Sequence, residues 1–142
     1  MVDQLTREQR HRAMANVKLK NGPLEIAVGV ALRKRGFRFR KHVKTLPGTP
    51  DIVFSKEMIA VFVDGDFWHG YRFPAWERKL TNFWKKKISE NRQRDQRNFR
   101  RLRKAGWQVI RLWQHKIERD IGACADRVEK AVRKPGSRYK RM

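Results

Sequence analysis

The chain has 142 residues, with 36 Lys and Arg against 14 Asp and Glu, which gives a formal net charge of +22 at pH 7. That length suits one domain with a real core, and a hydrophobic content of 39% is too high for a disordered chain. The excess of positive charge predicts a polyanionic partner, namely DNA, RNA or an acidic membrane surface.

Cysteine content and hydropathy exclude several classes of protein. The single cysteine, Cys124, rules out an internal disulfide and a cysteine-rich zinc site. No apolar run approaches the roughly 20 residues that cross a bilayer, and the N-terminus is polar. We therefore expect a soluble protein of the cytoplasm.

The apolar periodicity predicts a helix at about 7–17, a helix from 23 to 35, strands at 37–41, 51–54 and 58–63, a helix at about 81–104, a strand at 107–113 and a helix at about 117–132. Thr6 and Gln9 form a capping box before the first helix. Pro23 suits the first turn of the second helix and Gly36 its C-terminal end. This order predicts an α/β fold with a mixed central sheet flanked by helices.

Carboxylates lie at the ends of two neighbouring predicted strands. Asp51 begins one strand, and Asp64 and Asp66 follow the next. Each of them is explained by a turn when taken alone. Together they would converge and repel one another unless a divalent cation neutralised them. The pattern therefore predicts a metal-dependent site that cuts a phosphate backbone.

A histidine and two polar helix residues extend this candidate site. His69 follows Asp64 in a glycine-bounded loop, and an imidazole there can deprotonate an attacking water. On the predicted long helix, Asn91 and Asp95 share the inward phase of Trp84. Two interpretations stay open for this pair: a role at the site, or a drifting apolar stripe in which Asp95 pairs with an arginine.

Aromatic and basic residues favour nucleic acid as the partner. Phe67 and Trp68 lie in the predicted loop and Trp84 begins the next helix. These rings either cap the core or insert between base steps as a wedge. The same helix carries many Lys and Arg between 85 and 104, which favours contact with a phosphate backbone over a merely solvated face.

These motifs resemble those of the very short patch repair (Vsr-type) DNA mismatch endonucleases. The resemblance covers about residues 5–120 and rests on Pro50-Asp51, the run from Val61 to Gly70, Phe83-Trp84, the Asn91 and Asp95 pair, Gly106-Trp107 and the N-terminal Thr6 to Glu25. It implies a type II restriction endonuclease-like fold and Mg²⁺-dependent nicking of one strand of double-stranded DNA.

The resemblance also implies roles for individual residues. Asp51 would be the principal Mg²⁺ ligand and His69 the general base. The residues that would order the metal, the water or His69 are Glu25, Asp64, Asn91 and Asp95. For Glu25 this role replaces a simple interaction with the helix dipole. The aromatics that would wedge beside a T·G mismatch are Phe67, Trp68 and Trp84.

The chain departs from the family pattern at the position of a structural zinc. The positions that match the zinc ligands are Asp66, Tyr71, Phe73 and His115, and none is cysteine. We therefore predict no structural zinc. In its place we expect a hydrogen bond or ion pair between Asp66 and His115, with packing of Tyr71, Phe73 and Trp113.

The predicted organisation is a basic N-terminal arm at 1–20, a nuclease domain at 21–133 and a basic flexible tail at 134–142. The predicted activity is strand nicking at a T·G mismatch in DNA repair. Two alternatives are a homing or restriction-like site-specific endonuclease, and a non-catalytic nucleic-acid-binding protein on this scaffold. The expected partner is double-stranded DNA and not a membrane; in a bacterium the protein would be associated with the nucleoid.

Overall fold

The computed structural model describes residues 22–67, 69–72 and 80–134. Its elements in chain order are α1 Pro23–Lys34, β1 Arg40–Lys41, β2 Ile52–Phe54, β3 Ile59–Asp64, α2 Asn82–Lys104, β4 Gln108–Trp113, α3 Gln114–Arg119 and α4 Ile121–Val132. The predicted helix at 7–17, the predicted arm and all of the predicted tail except Lys134 lie outside the described residues.

The four strands form one sheet in the order β1-β2-β3-β4. β2 pairs antiparallel with β1 and with β3, whereas β3 pairs parallel with β4. A parallel pair needs a long crossover, and α2 lies within it. The mixed sheet flanked by helices, predicted from the order of elements, is confirmed.

Alternation along β3 divides the core into two parts. Ile59 and Val61 belong to the larger cluster, which contains residues of α1 and α4. Ala60 and Phe62 belong to a smaller cluster with Phe99 of α2. Because successive side chains point to opposite faces of a sheet, Asp64 continues the α2 face of β3.

Two predicted elements differ from the structure. The predicted strand at 37–41 is reduced to Arg40–Lys41, and the rings of Phe37 and Phe39 instead pack 6.0 and 5.9 Å from the ring of Phe54. Their alternation therefore reflects burial against the sheet and not ladder pairing.

The predicted helix at 117–132 is two helices that meet at Asp120. This residue ends α3, and its side chain accepts a hydrogen bond of 3.0 Å from the N–H of Ala123 in the first turn of α4. Aspartate is a favoured N-cap because it satisfies an otherwise unpaired helix N–H. Because the apolar periodicity continues across Asp120, the sequence pattern predicts one helix where the structure has two.

The remaining helix ends follow the predicted signals. The N–H of Gly22 donates to Glu25 Oε1 at 2.9 Å before α1, and Thr81 caps α2. Gly36 and Gly106 follow the ends of α1 and α2 with positive φ angles of 89° and 97°. None of the helices in the described ranges has the length and apolar content needed to cross a membrane.

Candidate active site

One side chain of α1 and two from the residues directly after β1 and directly before β2 form a cluster of possible metal ligands. Glu25, His42 and Asp51 each offer one ligand atom, and these atoms lie within 4.8 Å of one another. The antiparallel register places His42 opposite Asp51, whose carbonyl accepts from the N–H of His42 at 3.1 Å. His42 Nε2 also hydrogen-bonds Glu25 Oε2. We call these three residues the carboxylate–imidazole cluster.

Asp51 resists ionisation in this cluster. Burial raises the pKa of Asp51 to about 7, the charges of Glu25 and Asp64 add to the rise, and the N–H of Val63 and the charge of His42 oppose it. That N–H donates to Asp51 Oδ2 at 2.7 Å and holds the carboxylate in place. Two carboxylates and one imidazole are a donor set that fits a divalent cation.

A second group surrounds His69 on the α2 face of the sheet. His69 Nδ1 lies 2.7 Å from Asp95 Oδ2, and His69 Nε2 lies 3.5 Å from Asp64 Oδ1. An ionised carboxylate only accepts hydrogen bonds, so His69 donates from Nδ1 and its Nε2 is the nitrogen that can accept a proton.

An arginine from β4 completes this second group. Arg111 Nε donates to Asp64 Oδ2 at 2.7 Å, and Arg111 Nη2 donates to Asp95 Oδ2 at 3.3 Å. The guanidinium lies 4.2 Å from the ring centroid of Trp113 and 4.8 Å from that of Phe99. We call His69, Asp64, Asp95 and Arg111 the histidine–arginine group.

The charges around His69 nearly balance. Burial lowers the pKa of His69, but the hydrogen bond to Asp95 and the charges of Asp64 and Asp95 outweigh burial and the charge of Arg111. The net pKa of His69 therefore lies above its ordinary value. An imidazole in this setting can take up a proton and keep it beside two carboxylates.

Asn91 is buried on the same face of α2 as Asp95, as its helical phase predicts. Its Oδ1 accepts from Arg94 Nη2 at 2.8 Å. The burial of the pair is confirmed. Asp95 does pair with an arginine, but this is Arg111 of β4 and not one of the arginines of the helix, which the alternative interpretation had in view. The role of Asn91 at the site stays a prediction.

The loop that carries His69 is fastened to the β4–α3 corner. His115 Nδ1 donates to Asp66 Oδ1 at 2.9 Å, which confirms the predicted contact. The ring of Tyr71 lies 4.9 Å from that of Trp113 and 4.3 Å from that of His115, so this predicted packing is also confirmed. Phe73 lies outside the described residues. We call the pair of Asp66 and His115 the loop latch.

Gly70 allows the same loop to turn close to α2. Its φ angle is +69°, and an added Cβ would lie 2.7 Å from Arg92 Cδ and 2.8 Å from Ile88 Cγ2. A residue with a side chain at this position would meet both obstacles. His69 therefore reaches Asp95 through a turn that requires glycine.

The predicted wedge aromatics are placed unequally. Trp84 is only 6% exposed, and its ring meets those of Phe67 at 5.4 Å and Phe83 at 5.2 Å. This burial favours the core-cap interpretation of Trp84 over presentation to DNA in this conformation. Phe83 is 62% exposed, although it was not among the predicted wedge aromatics. Trp68 lies outside the described residues.

The structure thus brings the predicted residues together in two groups and adds two that sequence reasoning missed. Asp51 and Glu25 are joined by His42, and Asp64, Asp95 and His69 are joined by Arg111. His42 could have been found from the register of the β1–β2 hairpin, and Arg111 as a charge within the apolar alternation of β4.

Three features define a nuclease of the restriction endonuclease-like class. They are a mixed sheet with helices on both faces, carboxylates where two adjacent strands meet, and a neighbouring histidine that is hydrogen-bonded to a carboxylate. Residues 2–75 match the family model of the DNA mismatch endonuclease Vsr. The chain belongs to the Vsr family.

Curated relatives agree with this assignment over most of their length. The chain is 38% identical to the type II nicking enzyme V.NmeDIP of Neisseria meningitidis serogroup C, with 93% of this chain and 91% of the relative covered. It is 42% identical to the type II nicking enzyme V.XorIIP of Xanthomonas oryzae pv. oryzae, over 90% and 95%. It is 33% identical to the DNA mismatch endonuclease Vsr of Escherichia coli K12, over 79% and 71%.

Proposed function

We propose that this protein is a DNA endonuclease of mismatch repair, which hydrolyses one phosphodiester of double-stranded DNA at a T·G mismatch with the help of Mg²⁺. The observation that carries the proposal is the junction of the two groups at the end of β3. Val63 donates its N–H to Asp51 in the carboxylate–imidazole cluster, and the next residue, Asp64, contacts His69 and Arg111.

The carboxylate–imidazole cluster would hold the metal. Asp51 is the principal ligand in this proposal, with Glu25 and His42 beside it. A bound divalent cation would stabilise negative charge on the phosphate and lower the pKa of a bound water. Glu25 and His42 would hold the metal in their deprotonated forms, as metal ligands do.

His69 is the general base in this proposal. Its Nε2 accepts the proton of the water that attacks phosphorus, while Asp95 holds Nδ1–H and stabilises the imidazolium that forms. The oxygen of the water forms a bond to phosphorus, the bond from phosphorus to one bridging oxygen breaks, and the departing oxygen takes a proton from solvent and stays on the DNA as a hydroxyl. Asn91 and Asp64 would order this group from α2 and β3.

The exposed surface of α2 supplies phosphate contacts in this proposal. Its exposed cations in the described structure are Lys86, Lys87, Arg94, Arg97, Arg100, Arg101, Arg103 and Lys104. Neutralisation of backbone phosphates releases counterions and makes binding sensitive to salt. We extend the proposal to a nuclease domain at 21–133, with a basic arm at 1–20 and a basic tail at 134–142 that also contact DNA in the cytoplasm.

The deciding experiment uses two labelled duplexes that differ only in a central T·G mismatch, each with Mg²⁺ or with EDTA. A Mg²⁺-dependent nick confined to the mismatched duplex is the expected result. Equal cutting of both duplexes would instead indicate a restriction-like or homing-type endonuclease. Tight, salt-sensitive binding without any cutting would indicate a non-catalytic DNA-binding protein.

The wedge has its own test, in which 2-aminopurine is placed beside the T·G pair. Unstacking by Phe67 and Trp68 should raise its fluorescence on binding. We expect Phe67→Ala and Trp68→Ala to abolish the rise and Phe83→Ala to reduce it. Each stacked ring is worth about 1–3 kcal/mol. Trp84→Ala should also reduce the rise, because it removes the ring that packs against Phe67.

A further inference from the structure

Arg111 occupies an unusual position for a charged residue. It lies between the buried residues Ile110 and Leu112 of β4, opposite Phe62 in the parallel register of β3 and β4, and its side chain is only 24% exposed. The hydrogen bonds to Asp64 and Asp95 reach two different elements, and the rings of Trp113 and Phe99 restrict the guanidinium. Such a planar, multiply bonded arginine holds its partners in fixed orientations.

The two carboxylates need this cation. His69 lies between Asp64 and Asp95, and Arg111 is the cation that contacts both acids among the described residues. Asp95 Oδ2 accepts from both Arg111 Nη2 and His69 Nδ1, so the orientation of the imidazole depends on where Arg111 holds that oxygen. Without Arg111, two like charges would face each other across the imidazole and repel.

We infer that Arg111 is a positioning residue that joins Asp64 and Asp95 into a rigid frame around His69 and keeps Nε2 as the proton-accepting nitrogen. The inference rests on the proposed function only in that His69 serves there as the base. The frame itself is a property of the free protein.

The charges of the frame also set the pKa of His69. The charged groups that face His69 are Asp95 on α2, Asp64 on β3 and Arg111 on β4. Arg111 lowers the pKa of His69 and both acids raise it, so loss of the arginine should raise that pKa by about one unit. Because a general base must be neutral, the acid limb of the pH–rate profile should move to higher pH by the same amount.

The test follows the ring nitrogens of His69 by NMR in ¹⁵N-histidine protein without DNA, with His69→Gln used for assignment among the four histidines. One variant is Arg111→Met, which keeps roughly the length of the side chain but removes its charge. The other is Arg111→Lys, which keeps the charge but removes the planar guanidinium that can bond two carboxylates at once. Arg35→Met is the matched control, because it removes an exposed arginine paired with Asp126 and Glu129 on α4.

We expect Arg111→Met to raise the His69 pKa by about one unit and to mix the two ring tautomers. Arg111→Lys should restore the pKa but only part of the tautomer preference. Single-turnover nicking by Arg111→Met should fall about tenfold on the acid limb and recover at higher pH, whereas Arg35→Met should match the parent. A merely structural arginine would lower the rate equally at every pH.

A second variant keeps the inference testable if Arg111→Met does not fold. Asp64→Asn removes one acid while Arg111 remains, so the His69 pKa should fall. An unchanged pKa and an unchanged tautomer in these variants would overturn the inference. A parent protein that never nicks DNA would overturn the proposed function instead, since the NMR measurement needs no substrate.

Discussion

The carboxylate–imidazole cluster and the histidine–arginine group contain similar side chains, but they differ in whether a basic side chain offsets the charge of the carboxylates. Each has two carboxylates and one histidine, but only the second contains an arginine. In the described part of the chain no Lys or Arg pairs with Glu25 or Asp51, and burial raises the pKa of Asp51 to about 7. The first group therefore lacks a Lys or Arg partner and suits a metal, whereas Arg111 already offsets the acids of the second group, which suits proton transfer.

The largest expected effect comes from Asp51→Ala, which breaks only the first group. Metal stabilisation of phosphate charge is worth several kcal/mol, and about 1.4 kcal/mol is tenfold in rate, so nicking should fall about 10³-fold or more. DNA affinity should stay near that of the parent because the net charge of +22 supplies it. Single-turnover nicking and fluorescence anisotropy measure the two quantities.

The matched control is Asp126→Ala, which removes an exposed carboxylate of α4 that pairs with Arg35 at the C-terminal end of α1. It should nick at the rate of the parent. Equal nicking by Asp51→Ala and the parent would contradict the metal assignment.

The two histidines separate metal binding from proton transfer. His42→Gln should weaken Mn²⁺ binding, measured by electron paramagnetic resonance, by about 10–100-fold, while nicking recovers at saturating metal. His69→Gln should leave Mn²⁺ binding unchanged and lower nicking by about 10²–10⁴-fold at every metal concentration. The opposite pattern would exchange the roles of the two groups.

The sequence analysis named all members of the two groups except His42 and Arg111. Asp51 and Asp64 mark strand ends, and Asn91 and Asp95 share a helical phase, so their convergence or burial follows from local periodicity. His42 depends on how β1 pairs with β2, which two short strands do not specify by pattern alone.

Arg111 was missed for a related reason. It lies in a strand whose apolar neighbours predict burial, and its partners come from β3 and α2. Only the parallel register of β3 with β4 places it beside Asp64. Likewise, periodicity could not reveal the break at Asp120, because the apolar stripe of α3 continues into α4. Contacts that depend on how strands and helices pair in the folded chain cannot be predicted from the local sequence pattern.

The free energy of unfolding of the metal-free protein should depend on pH because of the carboxylate–imidazole cluster. The pKa of Asp51 rises from 3.8 to about 7 on folding, so the folded state keeps a proton that the unfolded state releases. The associated stability is present below about pH 4 and is lost as the pH rises toward 7, by at most about 1.4 kcal/mol per pH unit. Urea denaturation in EDTA should show a steeper fall in the parent than in Asp51→Asn, which cannot titrate.

Added Mg²⁺ should oppose this loss, since the metal binds the deprotonated carboxylate and stabilises the folded state. Parallel stability curves for the parent and Asp51→Asn would contradict the assigned pKa. Arg111→Met should not abolish the difference between those two curves, because burial is the largest cause of the raised pKa of Asp51.

The smallest expected effect concerns the loop latch, which supports only the histidine–arginine group. His115→Ala and Asp66→Ala should each lower the free energy of unfolding by about 0.5–1.5 kcal/mol and slow nicking a few-fold, with Mn²⁺ binding unchanged. The double variant should cost less than the sum, because the pair is lost only once. Asp126→Ala removes an acid of α4 that pairs with Arg35 and contacts neither Asp66 nor His115, so it serves as the control. Strict additivity of the two single variants, or zinc retained by the purified protein after EDTA, would show that the loop is fastened by something other than this pair.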